Sequence, residues 1–598
     1  MQNQFDVVII GSGAGGAPIA HILAQAGKSV LVLEKGPLLR TQYQDANGLS
    51  DFKRDELFAT GPEKIIRIPG VVNRGGAYYG SHVEPDLNDE PHIYRTIGGQ
   101  DCATVEGYTA QVVGGGTQLY GGVSLRFTPL DLRLKSFNED RTDLRDDPNG
   151  DIKREARDWP ISYDDLEPYY AKAEKLIGIN GSKDNQIKPF SIDNYQKPLL
   201  PNPISHYIEQ GMDALEMPRY RTPLAVITED HKPSGRKMPT DAETAKTGYI
   251  NRYGDPLGLK SSTWVSLLGP LSTLPNFELR ANCVVTHLEN EDAHVGKVHY
   301  LDPSGMPQIA QGKIVVVACS AIESVRLLKL SAALSQAFDQ RINQNDLLGK
   351  YFLTHCFGGA KANVPGRFDK SITLDSDWAT DYCATEDFLH ANGLWAGGTI
   401  YNNTSDRALP ISLARTYGSQ DLDTIWKAFI DNMDLTGESL VGLLDDTFGR
   451  GLSTCFMANQ VPLKTNRIEL HPTIRDKWGR PVAYVLKQWH SHDMTLMNTF
   501  ANQCAQLLIH GGVTDELSAG SVHMAENALA RCANHILGGA RFGTDAQDSV
   551  LNPDCRAWSF DNLYVTDGAF MPTSGGANPT LTIQANSFRV ADILLRRL

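Results

Sequence analysis

The sequence predicts an α/β nucleotide-binding domain combined with an α+β domain that is built on an antiparallel sheet. Three observations lead to this prediction. An apolar strand, a glycine-rich turn, a helix and a second strand occupy residues 5–37 in βαβ order. The stretches 313–319 and 562–566 have the composition of further buried strands. Between about residues 350 and 530, alternating runs are typical of an antiparallel sheet.

The N-terminal stretch carries the strongest motif of the chain. Residues 6–10 predict a buried parallel strand, and Gly11, Gly13 and Gly16 then satisfy the G-x-G-x-x-G pattern. These glycines allow a tight turn, a close approach of backbone to a pyrophosphate, and packing of helix on strand. The N-terminus of the following helix, predicted over residues 18–26, favours phosphate groups.

An acidic residue completes this unit after the second strand, which is predicted over residues 29–33. Glu34 lies 21 residues beyond Gly13, close to the spacing expected for a carboxylate that binds ribose hydroxyls. The order of strand, glycines, helix, strand and acid predicts a Rossmann-type dinucleotide site. The motif does not separate NAD from FAD.

A second glycine-rich stretch occupies residues 112–123, where five glycines fall within nine positions. Such a backbone can approach a flat or anionic ligand very closely. A purely structural loop is an equally good interpretation of this stretch alone.

Other elements follow from capping and periodicity. Ser162 is a good N-cap for a helix that ends near Ile177, and Ser320 is predicted to cap a helix over residues 321–328. Residues 35–108 are predicted as loops, and residues 180–275 as an irregular lid or oligomer arm.

Two long helices are predicted in the C-terminal part, over residues 493–510 and 581–595. Asn578 suits the capping position of the second helix, with Pro579 as its first helical residue. The start of this helix would form a second site that favours anions.

Composition excludes several classes of function. A formal net charge of −14 argues against nucleic acid or an anionic membrane as partner. The nine cysteines are scattered singly, which disfavours a zinc site, an iron–sulfur cluster and a disulfide framework. We see neither a membrane span nor a signal peptide, so the expected location is cytoplasmic.

Four stretches together carry a family resemblance. GSGAGG with LEKG, VGGGT, VVVACSAIESVRLL, and NLYVTDGAFMPTSGGANPTLTIQA resemble the glucose–methanol–choline (GMC) oxidoreductases, which are FAD-dependent alcohol oxidases and dehydrogenases. WPISYDDLEPYY is most similar to the sugar-oxidising branch, with its glucose and fructose dehydrogenase subunits, glycoside 3-dehydrogenases and pyranose oxidases.

The resemblance implies an FAD fold of the GMC and glutathione reductase type, with the flavin between the Rossmann half and a substrate domain. The implied division is 1–180 for the first part of the FAD domain, 181–275 for a lid, arm or oligomer segment, 276–349 for the second FAD part, 350–530 for the substrate domain, and 531–598 for the catalytic histidine and the C-terminal FAD part.

The resemblance also implies a catalytic pair, His535 and Asn578, which are 43 residues apart. His535 would remove the hydroxyl proton while hydride passes to flavin N5, and Asn578 would orient the substrate oxygen. The positions that it assigns to FAD are Gly11, Gly13, Ala14, Gly15, Gly16, Glu34, Lys35, Gly115, Gly116, Thr117, Val285, Asp567, Gly568, Ala569, Pro579 and Thr580. No metal is expected.

Two departures from the family refine these expectations. Some sugar oxidisers bind FAD covalently through a histidine of the glycine-rich loop, but residues 117–120 contain none, so we predict non-covalent FAD. Residues 220–275 lack the cysteine cluster of cytochrome-linked relatives, which favours a single subunit or a soluble acceptor. O2 and quinone-type acceptors both stay open, as does a homo-oligomer.

The substrate is the least determined feature. A sugar or glycoside is favoured over a hydrophobic, aromatic or sterol alcohol. Trp378, Trp395, Tyr401 and Trp426 could stack on sugar faces or belong to the core. A non-redox lyase of the same fold and a subunit that only relays electrons are the remaining alternatives.

Two other kinds of site find little support. Residues 489–493, Trp-His-Ser-His-Asp, include metal-binding side chains, but no third ligand follows at a recognisable spacing, so we interpret them as structural. No G-x-S-x-G elbow follows a strand, which argues against a serine nucleophile.

Overall fold

The structure is a computed structural model that describes residues 4–39, 66–73, 86–96, 98–104, 110–238, 258–368, 376–403, 438, 449–524 and 535–598. Its strands are β1 (Gln4–Ile10), β2 (Val30–Leu33), β3 (Val71–Asn73), β4 (His92–Arg95), β5 (Asp101–Thr104), β6 (Tyr220–Arg221), β7 (Phe277–Arg280), β8 (Val284–Glu291), β9 (His294–Leu301), β10 (Pro307–Val317), β11 (Phe352–Leu353), β12 (His355–Asn363), β13 (Trp378–Thr380), β14 (Gly398–Asn403), β15 (Gly451–Asn459), β16 (Arg467–Arg475), β17 (Pro481–Leu486), β18 (Asp515–Ser521), β19 (Leu537–Gly538) and β20 (Leu563–Val565). Its α-helices are α1 (Ala17–Gln25), α2 (Leu134–Asn138), α3 (Asp151–Glu155), α4 (Tyr163–Ile177), α5 (His206–Ala214), α6 (Ala321–Leu334), α7 (Gln336–Ile342), α8 (Glu386–Asn392), α9 (Ser491–His510) and α10 (Thr580–Arg597). Within the described ranges, no helix has both the length and the apolar composition to cross a bilayer.

The first sheet joins the two ends of the chain. Strands β7, β2, β1, β10 and β20 run parallel in that order. Residues 7–10, 30–33 and 315–317 are almost fully buried, as expected of parallel strands that are covered on both faces. Strands β8 and β9 extend the sheet in antiparallel fashion from the first half of β10. The predicted βαβ unit and the two predicted later strands therefore lie in one sheet.

The second sheet is antiparallel throughout. Its six strands follow the order β18, β12, β15, β14, β13 and β6. Helix α9 packs against β12 and β18. The antiparallel sheet predicted within residues 350–530 is confirmed, although its edge strand β6 comes from much earlier in the chain.

A third sheet was not predicted. Strands β16 and β17 pair in antiparallel fashion, as expected, but they belong to a five-stranded sheet with β4, β5 and β3. The prediction of loops over residues 35–108 is therefore wrong for β3, β4 and β5. These strands have only three or four residues, and β4 pairs with β17 almost four hundred positions away. Local periodicity carries no signal for such a partner.

Of the two predicted serine caps, one is confirmed and the other is wrong. The predicted cap at Ser162 is confirmed, since its Oγ accepts a hydrogen bond from Asp165 N (3.1 Å) and its own N–H donates to the Asp165 carboxylate (2.9 Å). The predicted cap at Ser320 is wrong. Ser320 has a φ of 75° and makes no side-chain cap, because the chain turns sharply there between β10 and α6.

The start of α10 also differs from its prediction. Thr580 is the first helical residue, Pro579 precedes it at the N-cap position, and the Asn578 side chain makes no cap. The amide of Asn578 is therefore not engaged by the helix end.

The described parts of residues 181–275 are mostly irregular, as predicted. They contain α5, the two-residue strand β6 and several short turns. Helix α5 packs closely on α9, where a Cβ on Gly211 would lie 2.1 Å from Leu507 O. A role as lid or oligomer arm stays a prediction, and so do the boundaries of all five predicted segments.

Candidate active site

A cavity of about 520 Å³ lies at the carboxyl ends of β1, β2, β10 and β20. This edge of a parallel sheet is where α/β proteins bind their ligands. The predicted site residues that line it are Gly11, Gly13, Ala14, Gly15, Glu34, Lys35, Gly115, Gly116, Thr117, Val285, His535, Asp567, Gly568, Asn578, Pro579 and Thr580. Gly16 and Ala569 lie outside the lining. The structure thus brings nearly all predicted positions together from distant parts of the chain.

The glycine-rich turn after β1 shows why its residues are small. A Cβ on Gly16 would lie 2.1 Å from Gly11 O, so Gly16 permits α1 to pack on the strand end. For a Cβ on Gly13, the nearest protein atom would be Gly115 Cα, at 3.9 Å. Gly13 therefore leaves open space on the cavity side, where a phosphate could approach the backbone.

Glu34 is held rigidly at the end of β2. Its Oε2 accepts hydrogen bonds from Ser12 N (3.0 Å) and Ser12 Oγ (2.6 Å), and its Oε1 accepts one from Gly36 N (2.8 Å). Burial raises the pKa of Glu34, while these three hydrogen bonds oppose the increase. The carboxylate faces the cavity in a fixed orientation, as a ribose-binding acid requires.

The second glycine-rich stretch docks onto the first. Ser12 Oγ accepts a hydrogen bond from Gly114 N (2.8 Å), and Thr117 Oγ1 donates to Gly114 O (2.6 Å). Thr263 N in turn donates to Thr117 Oγ1 (2.9 Å). Ser12 and Thr263 were missed as positioning residues, and Thr263 has no motif around it that could have revealed it.

Asp567 stabilises the turn between β20 and the C-terminal segment. Its carboxylate accepts hydrogen bonds from Ala569 N (2.9 Å) and from Ser324 Oγ. Burial raises the pKa of Asp567 to about 6. Its backbone lies against Gly15, where a Cβ would be only 2.8 Å from Asp567 Cα. The two ends of the chain are thus packed together at the cavity.

One side of the cavity is strongly charged. We call it the charged wall, and its members are Lys35, Glu90, His92, Glu323, Arg326 and Arg480. Lys35 pairs with Glu90, His92 Nε2 contacts Glu323 Oε1 (2.9 Å), and Arg326 Nη1 contacts Glu323 Oε2 (3.1 Å). Burial lowers the pKa of Lys35 to about 8, against the opposing effect of Glu323. Apart from Lys35, sequence reasoning missed this wall.

The antiparallel sheet provides the opposite chemistry. We call this surface the apolar wall, and its members are Phe357, Tyr401, Cys455 and Met457. Phe357 pairs with Met457 and Tyr401 with Cys455 across neighbouring strands, so their side chains share one face. Asn403, two positions beyond Tyr401 on the same strand, adds a polar group to the cavity lining.

His535 and Asn578 both line this cavity. The His535 ring is 5.0 Å from the ring of His355 in an edge-to-face arrangement with an interplanar angle of 81°. Burial, aided by His535, holds the pKa of His355 well below its usual value of 6.5, so His355 is neutral. Asn578 Oδ1 is buried and has no hydrogen-bond partner among the described residues. Sequence reasoning missed His355, which is an isolated histidine at the start of a strand.

The four aromatic candidates have different outcomes. Tyr401 lines the cavity, whereas Trp395 is buried in a small hydrophobic cluster. Trp378 lies against the guanidinium groups of Arg219 and Arg221 at 5.2 and 5.1 Å. Trp426 lies outside the described residues.

The histidine-rich stretch before α9 makes the contacts of a helix cap. His490 Nδ1 accepts a hydrogen bond from His492 N (3.2 Å), and the Asp493 carboxylate accepts one from His490 N (3.1 Å). His492 Nε2 accepts one from Trp395 N (3.0 Å). These bonds account for the helix cap, and the fold also brings His490 beside Asp147 and Asp151, whose possible ligand atoms all lie within 4.8 Å of one another.

The cavity fits a dinucleotide that carries a reactive ring. The open space at Gly13 next to the start of α1 suits a pyrophosphate, and Glu34 suits a ribose. The first turn of α10, which begins at Thr580, offers backbone N–H groups to a ring that gains negative charge. Asn578 Oδ1 has no hydrogen-bond partner among the described residues, and a bound ligand could supply one.

Comparisons with known proteins agree with this interpretation. The family model described as FAD binding domain matches residues 6–61, and the one described as GMC oxidoreductase matches residues 462–587. A 2-methyl-1,2-propanediol dehydrogenase of Mycolicibacterium austroafricanum is 26% identical over 598 residues, which cover 100% of this chain and 96% of that protein. The chain thus carries an FAD-binding domain and a GMC oxidoreductase C-terminal domain. It is an FAD-dependent oxidoreductase that acts on CH–OH donors.

Two further comparisons extend over nearly the full length of this chain. The fructose dehydrogenase large subunit of Gluconobacter japonicus is 26% identical, with coverage of 99% of this chain and 98% of that protein. The structure of an Aspergillus oryzae formate oxidase superimposes with a TM-score of 0.59 at 13% sequence identity. The match covers 99% of this chain and 98% of the formate oxidase chain. The similarity to the formate oxidase structure supports the assignment of the fold.

Proposed function

We propose that this GMC oxidoreductase uses non-covalent FAD to oxidise an alcohol group of a sugar or glycoside to the carbonyl. One observation carries the proposal. His535 and Asn578 line the same cavity as the glycine-rich turn, and Asn578 Oδ1 is buried there without a partner among the described residues. A buried amide oxygen of this kind is stable when a ligand supplies its hydrogen bond.

The proposed chemistry divides the two hydrogens of the alcohol between the protein and the cofactor. An imidazole nitrogen of His535 takes the hydroxyl proton while the carbon–oxygen double bond forms. Bound FAD supplies the acceptor for the hydride that leaves the same carbon. The amide of Asn578 holds the substrate oxygen so that the C–H bond points towards the cofactor. Neutral His355 adds no competing charge beside His535.

The apolar wall bears on the class of substrate. Tyr401 offers an aromatic face and Asn403 a polar group on one strand, a combination that suits a sugar ring. The full-length similarity to a fructose dehydrogenase subunit supports the same choice. Phe357 and Met457 favour a less polar alcohol instead, and this is the second candidate function.

The mode of FAD attachment follows from the glycine-rich loop. Residues 117–120 of this loop contain no histidine that could bond to the flavin. We therefore expect acid precipitation of the protein to release all of its FAD into the supernatant. Flavin fluorescence that stayed with the precipitated chain would contradict non-covalent binding.

The decisive experiment is anaerobic flavin reduction. The purified protein is mixed with glucosides, free sugars, small diols and aromatic alcohols, and the flavin absorption near 450 nm is followed by stopped flow. Bleaching by a sugar or glycoside is the expected result, and the rate of recolouring in air or with a quinone then identifies the acceptor. Bleaching by aromatic alcohols or diols alone would favour the second candidate. A flavin that no alcohol reduces would favour a lyase or a relay subunit.

A further inference from the structure

A short turn of the third sheet reaches the charged wall of the cavity. Residues 476–480 join β16 to β17, and Arg480 is the member of this turn that lines the cavity. The turn is closed locally, since Asp476 N donates to Arg480 O (2.8 Å) and Asp476 Oδ1 accepts from Arg480 N (2.9 Å). Its geometry is therefore defined by its own backbone.

Asp476 also joins the turn to the nucleotide-binding half of the molecule. Its Oδ2 accepts hydrogen bonds from Arg326 Nη2 (2.6 Å) and from Arg480 Nε (3.0 Å). Arg326 lies on α6 and donates a further bond to Pro481 O (2.8 Å). The Asp476 side chain is fully buried, so this junction between the turn and α6 is shielded from water.

Arg480 extends from this junction into the cavity. Its Nη1 donates to Val285 O at the start of β8 (3.2 Å), and its guanidinium lies 4.9 Å from the centre of the Trp478 ring. The guanidinium is thus held from two sides, by Asp476 and by the Val285 carbonyl. A planar guanidinium held in this way presents its remaining donors and its face in a fixed orientation.

The position of Arg480 within the site indicates which part of FAD it meets. The pyrophosphate belongs at the glycine turn and the start of α1. The reactive ring belongs beside His535 and Asn578. Glu34, at the end of β2, has the position of the acid that binds the adenosine ribose. Val285 and Arg480 line the part of the cavity that then remains for the adenine.

We propose that Arg480 is an FAD-binding residue that contacts the adenosine moiety, and that Asp476 is the positioning residue that holds it there. The planar guanidinium can stack on a purine or donate to its ring nitrogens. Arg480, the residue of the 476–480 turn that lines the cavity, then holds the adenosine part of FAD in place.

Three variants of the holoenzyme test this role. Arg480→Leu removes the contact, and Asp476→Asn removes the charge while its amide oxygen still accepts the turn's backbone bonds. Lys477→Ala is the matched control, because Lys477 lies in the same turn but points to Glu90 and Asp89 with a half-exposed side chain. FAD release after dilution is followed by the rise in flavin fluorescence. We expect Arg480→Leu to weaken FAD binding at least tenfold, Asp476→Asn three- to tenfold, and Lys477→Ala less than twofold.

Displacement by adenosine identifies the part of FAD that is contacted. Adenosine, which lacks the phosphates, is titrated into each holoenzyme at saturating FAD, where the midpoint reports the ratio of the two affinities. A contact to the adenosine moiety weakens adenosine and FAD alike, so the midpoint stays unchanged in Arg480→Leu. A midpoint that falls with the loss of FAD affinity would place the contact elsewhere on FAD and overturn the proposal.

Folding is checked by circular dichroism and thermal unfolding of each protein after removal of FAD. If Arg480→Leu is not recovered folded, Arg480→Lys replaces it, because lysine keeps the charge but loses the fork that contacts both Asp476 and Val285. Unchanged FAD release in every folded variant would refute the role of Arg480. Equal weakening by Lys477→Ala would refute the specific role of the Asp476–Arg480 pair.

Discussion

The charged wall and the apolar wall face one cavity, yet they differ in how their buried polar groups are partnered. On the charged wall, Lys35 pairs with Glu90, and Glu323 contacts both His92 and Arg326. Beside the apolar wall, Asn578 Oδ1 is buried with no partner among the described residues. The charged wall pairs its charged groups within the protein, although His92 Nδ1 has no partner among the described residues, and the other side leaves an uncharged amide oxygen for a ligand.

This difference follows from the cost of burying each kind of group. An unpaired buried charge is strongly destabilising, so a set of charges is tolerated only when its members compensate one another. A single uncharged amide oxygen without a partner costs about 1–3 kcal/mol, which a protein can tolerate at a functional site. The charged wall is therefore suited to hold a cofactor, and the apolar wall with Asn578 to bind and release a substrate.

The largest effect is expected at His535. In His535→Ala we expect kcat to fall by about 10²–10⁴-fold, because the hydroxyl proton loses its acceptor. FAD content should stay unchanged, since the charged wall and the glycine turn are untouched. Steady-state turnover with the substrate that bleaches the flavin measures the loss. His510→Ala, at the exposed end of α9, is the control, and an equal loss in both variants would remove His535 from the mechanism.

Asn578→Ala should have the next largest effect. We expect kcat/KM to fall by about 10²-fold, since the substrate oxygen loses the group that orients it. Thermal stability of the FAD-free protein should change little, because Asn578 Oδ1 has no partner to lose among the described residues. A large drop in unfolding temperature with unaltered turnover of the remaining folded enzyme would instead assign Asn578 a structural role.

Gly13→Ala tests whether the open space at the glycine turn belongs to the cofactor. The added Cβ would meet protein no closer than 3.9 Å, so the apoprotein should fold normally. We expect the Kd for FAD to rise at least tenfold, about 1.4 kcal/mol, because the methyl group occupies space beside the pyrophosphate. Quenching of flavin fluorescence on titration of the apoprotein measures this change.

Gly296→Ala is the matched control for this substitution. Gly296 lies on β9, and a Cβ there would have nothing within 4 Å. Its FAD affinity should equal that of the unmodified protein. Equal affinities in Gly13→Ala and the unmodified protein would show that the pyrophosphate lies elsewhere.

The smallest expected effect is a pH dependence of stability at His355. Its pKa is well below 6.5 in the folded protein, while the unfolded chain has the usual value. Below pH 6.5 the unfolded chain therefore binds a proton that the folded protein does not, and stability falls with pH. The loss is up to about 1.4 kcal/mol for each pH unit.

Denaturant unfolding at pH 7.5 and pH 5.5 measures this effect in the unmodified protein and in His355→Gln. The unmodified protein should lose about 1 kcal/mol more than the variant between the two pH values. His510→Gln, at an exposed position, should behave like the unmodified protein. Equal losses of unfolding free energy in the unmodified protein and His355→Gln would show that His355 takes up its proton in the folded state.

Several features of the fold and the site were predictable because their causes are local. The βαβ unit at the N-terminus follows from a run of buried residues, glycines at fixed spacing and an acid after the second strand. The capping box at Ser162 follows from side chains three positions apart. The C-terminal block with Asn578 was recognisable because several of its motifs follow one another in family order.

The tertiary structure decided features whose partners are remote in the chain. The third sheet depends on the pairing of β4 with β17, and short strands carry too few residues to reveal such a partner. His355 acquires its shifted pKa only through burial beside His535. Ser320 and Asn578 have the side chains of helix caps, but the turns of the assembled sheet hold them in other conformations.

The sequence by itself thus determined that this chain binds a dinucleotide, because that property depends on a short motif, and the family resemblance proposed His535 and Asn578 as the catalytic pair. It did not determine the charged wall, in which Lys35, Glu90, Glu323 and Arg480 come from four separate segments. Charges of this kind are stable inside a protein only when folding brings their partners within a few ångströms. That compensation arises from the packing of two sheets against one helix, which is a property of the tertiary structure alone.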